Sequence, residues 1–394
     1  MSEWPAHGAR TVPWKPRRRQ GPKADRMLQE ITVSLPPAIA EVTYTPDTAT
    51  AIELENAVRD ISATDAGSIS QLSSLGQFLI RTESVSSSKI EQIEASLDDY
   101  ARAIAGIKSN ASAVSMVKSA QALHGLVDAA GSGEITLDSI LTAHHQLMED
   151  DPSERSYAGR LRDVQNWIGG SDFTPRTAVH VPPPPELVDP LMADLLIFAN
   201  RDDVPVVAQA AIVHAQFESI HPFSDGNGRI GRALINAVLR RRGLTSGTVV
   251  PIASAMVAKR QIYFDLVNGY RTGALEPFVL DVARSAQIAS REARVSGEVL
   301  ESLPGRWAEL SKPRAGSAAA AILQQLLDHP VFSADDISDL LPNLSDVNIY
   351  RALQRLEDDG VIHEVTARKR DRVWAATLVM DELEDLADRI AQRL

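Results

Sequence analysis

The run HPFSDGNGRIGR, residues 221–232, contains side chains and backbone groups that could bind a phosphate ester. Its Gly-Asn-Gly part, residues 226–228, opens a predicted helix, and the first N–H groups of a helix form a natural anion site. Arg229 and Arg232 lie three residues apart, which places both guanidinium groups on neighbouring sides of that helix end. The run therefore has the components of a phosphate-binding site.

Two further side chains of the run could supply a metal ligand and a base. Asp225 offers a hard carboxylate oxygen of the kind that Mg²⁺ needs when it bridges phosphate oxygens. His221 carries an imidazole whose ordinary pKa lies near neutrality, so it can take a proton from an attacking hydroxyl group. These residues indicate phosphoryl or nucleotidyl transfer with His221 as the general base. The sequence contains neither a Walker motif nor the motif set of a protein kinase.

The elements that position this run are predicted to be helices. Apolar residues with helical spacing lie before and after it, and Gly243 is the expected C-cap of the second helix. Between residues 160 and 185, paired glycines, a β-prone stretch from Thr177 to Val181 and a run of prolines predict a hairpin flap. With helical patterns over most of the remaining chain, the expected class is mainly α with a β-hairpin flap.

The run at residues 221–232 resembles the Fic motif HPFx(D/E)GNGRxxR at every fixed position. The stretch from Arg160 to Gly170 and the Leu35-Pro36-Pro37 region are also similar to this family, so the resemblance covers about residues 30–300. It implies a helical core in which His221 deprotonates a Tyr, Ser or Thr hydroxyl of a target protein. That hydroxyl would attack the α-phosphorus of Mg-ATP and expel pyrophosphate, which makes the protein a candidate AMP transferase.

The resemblance also implies roles for the other residues of the site. Asp225 would hold Mg²⁺, and the ATP phosphates would contact Gly226, Asn227, Gly228, Arg229 and Arg232. The flap would align the target by pairing with its backbone through Thr177, Ala178 and Val179. Tyr263 would border the base pocket or, equally, serve as a core aromatic residue.

An upstream stretch resembles the inhibitory motif (S/T)xxxE(G/N) of the family. Ser87 and Glu91 occupy the defining places, whereas Gln92 stands where the family has Gly or Asn. A carboxylate delivered to the phosphate site would pair with Arg232 and compete with the γ-phosphate. We therefore expect autoinhibition by Glu91. In some relatives the same glutamate supports removal of AMP, so a de-AMPylase is an alternative.

The C-terminal part is predicted to form a separate unit. Residues 303–315 indicate a linker, and residues 316–394 show three helices and then two strands around a basic tip, as in a winged helix-turn-helix. Its third helix carries both basic and acidic side chains, so DNA binding and protein docking are equally expected. The other predicted parts are a flexible basic arm over 1–30, an N-terminal helical region with the inhibitory motif over 31–110 and a catalytic core over 111–302.

Composition restricts the remaining possibilities. The 394 residues are 44% hydrophobic, carry a net charge of -12 and include no cysteine. The charge argues against wholesale nucleic-acid binding, and the lack of cysteine excludes thiolate chemistry and fits a reducing compartment. Without an apolar stretch long enough to cross a bilayer, we expect a soluble cytoplasmic protein with no membrane partner. Self-modification and a homodimer are further expectations. The rival functions are a Fic enzyme with another nucleotide donor and a nucleotide-sensing DNA-binding regulator.

Overall fold

The structure is a computed structural model that describes residues 4–15, 21–66, 73–107, 110–366, 368 and 370–394. The chain divides into two compact units, each assembled from segments that are distant in sequence. Unit 1 comprises Met1–Val58, Gln121–Leu244 and Lys259–Arg284. Unit 2 comprises Arg59–Ala120, Thr245–Ala258 and Ser285–Leu394. The linear domain boundaries expected from the sequence stay a prediction.

Most of the described chain is helical, as the sequence predicts. The helices in chain order are α1 (Lys23–Arg26), α2 (Thr48–Ala66), α3 (Ser73–Ile90), α4 (Leu97–Ile104), α5 (Ala111–Ala130), α6 (Leu137–Met148), α7 (Val188–Ala199), α8 (Val206–Ile220), α9 (Asn227–Arg241), α10 (Ile252–Ala258), α11 (Arg260–Arg271), α12 (Leu275–Ser311), α13 (Ala318–Leu323), α14 (Ala334–Leu340), α15 (Asp346–Asp358) and α16 (Thr377–Arg393). None of the helices in the described ranges is both long and apolar enough to span a membrane.

The strands form two small antiparallel sheets. In unit 1, β1 (Gly8–Pro13) pairs with β2 (Glu30–Leu35), with Gly8 opposite Leu35. In unit 2, β3 (Val331–Ser333), β4 (Ile362–Glu364) and β5 (Val373–Ala376) form a sheet in the order β3-β5-β4.

Helix α8 forms the centre of unit 1. Every residue from Val207 to Ile220 is buried, which is typical of a helix that neighbours surround on all sides. Helix α9 approaches it closely at Gly231, where a Cβ atom would lie 2.5 Å from Oε1 of Glu218. A larger residue at position 231 would have to displace the carboxylate of Glu218 and press on Phe217, so the loop between α8 and α9 starts and ends on a closely packed helix pair.

In unit 2, helix α3 packs against α10 and α16. Small residues at the α3–α10 contact let the backbones approach, and the hydroxyls of Ser86 and Ser254 are 2.8 Å apart. Oε2 of the buried Glu83 accepts a hydrogen bond from the backbone N–H of Ala253 at 2.8 Å. This bond satisfies one of the unpaired donors at the start of α10 and ties α3 to it.

The C-terminal elements follow the order α13, β3, α14, α15, β4, β5 and α16. Strand β3 and helix α16 add to the predicted set, and the assignment as a winged helix-turn-helix stays a prediction. At the tip, Arg372 pairs with Glu357 and Glu364, and its guanidinium lies 4.6 Å from the ring centre of Trp374. The positive charge of Arg372 is thus balanced by two carboxylates of the protein. Another basic residue of the tip, Lys369, lies outside the described residues.

The flexible arm expected at residues 1–30 is wrong for the part that the structure describes. Residues Gly8–Pro13 form a strand, and the side chain of Trp4 is only 7% exposed. The cause is non-local, because the partner strand buries alternate residues, Ile31 and Val33, and fixes β1 through main-chain pairing. The basic residues 17–19 lie outside the described residues.

The predicted start of the linker, residue 303, is too early in the chain. Helix α12 continues through Pro304 and ends only at Ser311. Leu300, Leu303 and Trp307 recur at helical spacing and are fully or almost fully buried. Burial of this apolar stripe offsets the backbone hydrogen bond that proline removes inside a helix.

Candidate active site

The loop that joins α8 to α9 begins with a sharp change of backbone direction at His221. This residue has φ 49 and ψ 61, the left-handed conformation that is uncommon for residues other than glycine. Its N–H still donates to the carbonyl of Phe217 at 2.8 Å, and Pro222 prevents the helix from continuing. His221 therefore closes α8 and directs the chain into the loop.

The inner side of the loop is held by the imidazole of His144 on α6. This ring stacks on Phe223 with the ring centres 3.7 Å apart and the planes 3° from parallel. Its Nδ1 accepts from the N–H of Gly159 at 2.9 Å, so the proton resides on Nε2, which donates to the carbonyl of Asp225 at 3.1 Å. Burial lowers the pKa of His144 to about 4, and the ring is neutral at physiological pH.

The side chain of Asn227 closes the loop on itself. Its Oδ1 accepts from the N–H of Phe223 at 2.8 Å, and its Nδ2 donates to the carbonyl of the same residue at 2.9 Å. The amide of Asn166 donates to this carbonyl as well, at 2.8 Å. Both polar atoms of the Asn227 side chain thus bind within the loop and shape it.

Arg162 holds the point where α8 ends. It is 3% exposed, and its Nε donates to the carbonyl of His221 at 2.8 Å. The same guanidinium donates to the carbonyls of Val164 and Pro183 at 3.0 and 2.6 Å, and the N–H of Arg162 donates to Pro222. Burial lowers the pKa of Arg162 to about 10, so it stays charged. Arg162 thus connects the turn at His221 to the chain just before and just after residues 167–181, the segment that we call the flap.

The imidazole of His221 is a neutral base in this setting. Burial lowers its pKa to about 3, and the positive charges of Arg162 and Arg271 act in the same direction, against a smaller opposing effect of the Glu218 backbone. The ring is therefore unprotonated at neutral pH, with a nitrogen lone pair available to a hydroxyl proton, and in this state it is a weaker base than a free imidazole.

The exposed carboxylate of Asp225 lies directly before the start of α9. Its Oδ1 accepts from the N–H of Gly226 at 2.6 Å. Gly226 has φ 75, and a Cβ there would lie 3.0 Å from Leu147 and 3.2 Å from Met148. The described residues contain no group of three or more metal-ligating side chains. A single carboxylate nevertheless suits Mg²⁺, which usually keeps waters and phosphate oxygens as its other ligands.

Three further residues with predicted roles are buried in α9 and α11. Arg229 and Arg232 are 6% and 1% exposed, and Nη2 of Arg229 lies 3.8 Å from the sulfur of Met148. Tyr263 is 2% exposed, and its hydroxyl lies 2.9 Å from Nε2 of His214. The charge of Arg232 contributes, after burial, to the lowered pKa of His214, about 3. A contact of Tyr263 with the nucleobase stays a prediction.

The flap, residues 167–181, contains a single β-bridge between Ile168 and His180 and no regular strands. Gly169 and Gly170 both have positive φ, as does Thr177, and these turns interrupt strand pairing. Thr177 and Val179 are exposed and Ala178 is half-buried, so the predicted docking residues lie at the surface. Their contact with a target stays a prediction.

The predicted inhibitory residues belong to unit 2. Ser87 is buried within α3, and Glu91 follows the last residue of that helix. The N–H of Gln92 donates to Lys89, and the N–H of Ile93 donates to Ser88, at 3.0 and 3.1 Å. This bond pattern is the Schellman motif.

Gln92 itself has φ 61, the conformation that glycine and asparagine adopt most easily. A preference for Gly or Asn at this place of the motif therefore has a local physical reason. The departure at Gln92 keeps the helix end intact and adds backbone strain.

Sequence reasoning did not assign positioning roles to Arg162, Asn166 and His144. The similarity of residues 160–170 to the Fic family was the available signal for the first two. The sequence around His144 gives no such signal, because it shows only a second histidine, His145, beside it. The structure places the ring of His144 against the loop between α8 and α9.

Residues 134–239 match the model of the Fic/DOC family. This matched segment contains the loop and the flap just described, so the resemblance indicated by the motif is confirmed.

Two curated relatives overlap the same region. The protein adenylyltransferase fic-1 of Caenorhabditis elegans is 32% identical over 158 residues, which cover 39% of this chain and 28% of the relative. The protein adenylyltransferase Fic of Nematostella vectensis is 33% identical over 160 residues, 40% of this chain and 33% of the relative. The chain thus matches a third or less of the length of these relatives.

A solved structure shares the fold. The crystal structure of a Fic family protein from Desulfovibrio desulfuricans G20 aligns with a TM-score of 0.54 at 21% identity, covering 84% of this chain and 98% of the other. This similarity supports the mainly helical Fic architecture and says nothing of activity.

Proposed function

We propose that this chain is a protein adenylyltransferase, which transfers AMP from Mg-ATP to Tyr, Ser or Thr hydroxyls of target proteins, itself included. The observation that carries the proposal is the left-handed turn at His221, which begins the loop that ends at the N-terminus of α9. One short loop thus carries both a proton acceptor and the backbone N–H groups that would bind phosphate. The names of the two curated relatives support the same activity.

In the proposed reaction, His221 accepts the proton of the target hydroxyl while that oxygen attacks the α-phosphorus of ATP. The new P–O bond replaces the bond to the β-phosphate, and pyrophosphate leaves with its electron pair. The backbone N–H groups of residues 226–228, together with Arg229 and Arg232, would bind the phosphates. Asp225 would hold Mg²⁺, which neutralises phosphate charge when bound.

We further propose that Glu91 is an inhibitory residue. Two features of unit 2 support this role, namely the spacing of Ser87 and Glu91 and the Schellman turn that fixes Glu91 at the end of α3. A carboxylate in competition with the γ-phosphate for Arg232 would lower productive ATP binding. Reversal of AMP transfer with help from Glu91, and transfer from another nucleotide donor, are the alternatives within the same fold.

The C-terminal elements expose a surface patch on α15 that a partner could use. Val347 and Tyr350 on α15 are 66% and 50% exposed, next to the exposed Arg351 and Gln354, which favours a docking surface for DNA or protein. A homodimer would use such a surface too. A cytoplasmic location is supported by the lack of cysteine in the sequence.

The deciding experiment follows transfer of label from α-labelled Mg-ATP to protein for wild type, Glu91→Gly and His221→Ala. We expect label to rise with Glu91→Gly and to vanish with His221→Ala. If ATP binds but no form transfers label, the assignment as an AMP transferase fails, and transfer from another donor or nucleotide sensing takes its place.

A further inference from the structure

A segment near the N-terminus, residues 21–35, lies against the flap. We call this segment the strap; it contains α1 and β2, and both strap and flap belong to unit 1. The strap lies outside the stretch that matches the Fic/DOC family, residues 134–239. Nothing described so far gives it a function.

Asp25 makes the central contact between strap and flap. The residue is 3% exposed, and its Oδ2 accepts from the hydroxyl of Ser171 at 2.6 Å. Nη1 of Arg176, on the other limb of the flap, lies 3.9 Å from Oδ1. A buried carboxylate is costly unless it is paired, so these two partners hold both limbs of the flap near one point of the strap.

The contact of Asp25 extends to the backbone of the flap tip. Oγ of Ser171 donates to Asp25 and accepts from the N–H of Phe173 at 3.2 Å, while the carbonyl of Ser171 accepts from Nε1 of Trp167 at 2.8 Å. The conformation of residues 171–173 is thereby connected to the carboxylate of Asp25 through a chain of hydrogen bonds.

The strap makes two further contacts with the flap, besides the hydrogen bonds that start from Asp25. Gly21 packs so closely on Phe173 that a Cβ at position 21 would lie 2.7 Å from its ring. At the far end of the strap, the N–H of Ser34 donates to the carbonyl of Val181 at 2.8 Å. The strap therefore touches the flap at its tip and at its return end.

We propose that Asp25 is a positioning residue that holds the flap, through Ser171 and Phe173, in the conformation that receives the protein target. This role rests on the proposed AMP transfer, because the flap serves there to align the target hydroxyl with His221. The strap would act on the target and leave nucleotide binding unchanged, since its described contacts are with the flap and with N-terminal residues that include β1.

The first test measures the flap without reference to activity. Amide hydrogen exchange of residues 168–181 and tryptic cleavage after Arg176 are compared in wild type, Asp25→Ala, Asp25→Asn and Ser171→Ala. We expect both rates to rise about tenfold in Asp25→Ala, which corresponds to loss of a hydrogen bond to a charged group. Asp25→Asn keeps an oxygen acceptor for Ser171 and should restore most of the protection.

The matched control is Glu30→Ala, which removes one carboxylate from an exposed position of the same strap. It should leave flap exchange unchanged. Ser171→Ala removes the same hydrogen bond from the flap side, so the experiment remains decisive if Asp25→Ala fails to fold. Unchanged flap protection in both Asp25→Ala and Ser171→Ala would overturn the proposal, whatever the labelling shows.

The second test uses the Glu91→Gly background and a His221→Ala copy of this chain as the labelled acceptor. We expect Asp25→Ala to lower kcat/KM for the acceptor about tenfold with KM for ATP unchanged, and Asp25→Asn to recover it. A loosened flap with unchanged transfer would overturn the positioning role. A loosened flap with no transfer in any form, Glu91→Gly included, would instead reject AMP transfer and leave the contact of Asp25 with the flap established.

Discussion

Within the described residues, three helices are followed by a left-handed residue other than glycine, namely His221, Gln92 and Lys312. The first two of these helix ends are held in different ways. At the end of α8, His221 has φ 49, and buried side chains bind the carbonyls around it, with Arg162 on His221 and His144 on Asp225. At the end of α3, Gln92 has φ 61, and the bonds that close the turn join backbone groups.

The two ends differ in what closes the turn. Strained backbone persists when surrounding groups over-determine it, as they do at His221. At the end of α3, two backbone hydrogen bonds of the Schellman motif close the turn. We infer that loss of a buried side chain can loosen the turn at His221, whereas the strain at Gln92 is a local backbone property.

Removal of Arg162 should have the largest effect, because it leaves several buried carbonyls without a donor. We expect Arg162→Ala to lower the free energy of unfolding by about 3 kcal/mol or more and to abolish transfer. Urea unfolding and α-label transfer check both outcomes. The exposed neighbour Arg160 gives the control, since Arg160→Ala should change stability by no more than about 0.5 kcal/mol. A small loss of stability in Arg162→Ala would contradict the view that buried side chains hold the end of α8.

The pH dependence of transfer tests the protonation state of His221. Its pKa of about 3 in the free protein means that kcat/KM for ATP stays level as pH falls from 7 to about 5. The charges of bound triphosphate favour the protonated ring and raise this pKa, so kcat should begin to fall at a higher pH than kcat/KM. Both are measured with α-labelled ATP in the Glu91→Gly background. A fall in kcat/KM near pH 6.5 would contradict the effect of burial and arginine charge.

Mild acid should lower the stability of unit 1 around the end of α8, where buried side chains support the turn. The pKa values of His144, His180 and His214 are all lowered in the folded protein, to about 4 for His144 and about 3 for His214. Their stabilising contribution is complete above the unfolded value of about 6.5 and is lost as pH falls below it, at up to about 1.4 kcal/mol per histidine and pH unit.

Urea unfolding at pH 7.5 and 5.5 measures this loss. His144→Gln should reduce the difference between the two pH values by about 1 kcal/mol. The exposed His124 provides the control, because His124→Gln should leave the difference as it is. Equal pH sensitivity of wild type and His144→Gln would show that His144 is not held neutral.

The smallest effect is expected at the end of α3. Gln92→Gly should raise the free energy of unfolding by about 0.5–1 kcal/mol, because glycine adopts positive φ without strain. Gln92→Ala keeps the strain and should give no gain. Denaturant unfolding measures the stability of both variants. If Gln92→Ala were also stabilising, the glutamine side chain, and not the positive φ of the backbone, would be the source of the destabilisation.

Some of this site could be predicted from the sequence because its components are contiguous. The run at residues 221–232 contains the base, the turn residues and the helix start, so spacing alone indicates phosphate chemistry. The helical class was predictable too, since apolar periodicity is a local signal.

The supporting residues escaped prediction for a common reason. Arg162, His144 and Asp25 act on the backbone or hydroxyls of residues far away in sequence, and such contacts leave no periodic pattern. The same cause explains the first strand, whose partner β2 follows only after α1. It also explains the continuation of α12 through Pro304, where tertiary burial outweighs a local breaker.

The hydrogen bond from Nε2 of His144 to the loop provides a natural spectroscopic reporter. An imidazole proton buried between Asp225 and the ring stack exchanges slowly with water, so it should be visible as a separate downfield proton resonance. Its frequency depends on the length of the bond to the loop carbonyl. Titration of the protein with a nucleotide can therefore be followed at one atom of the loop, without a protein target.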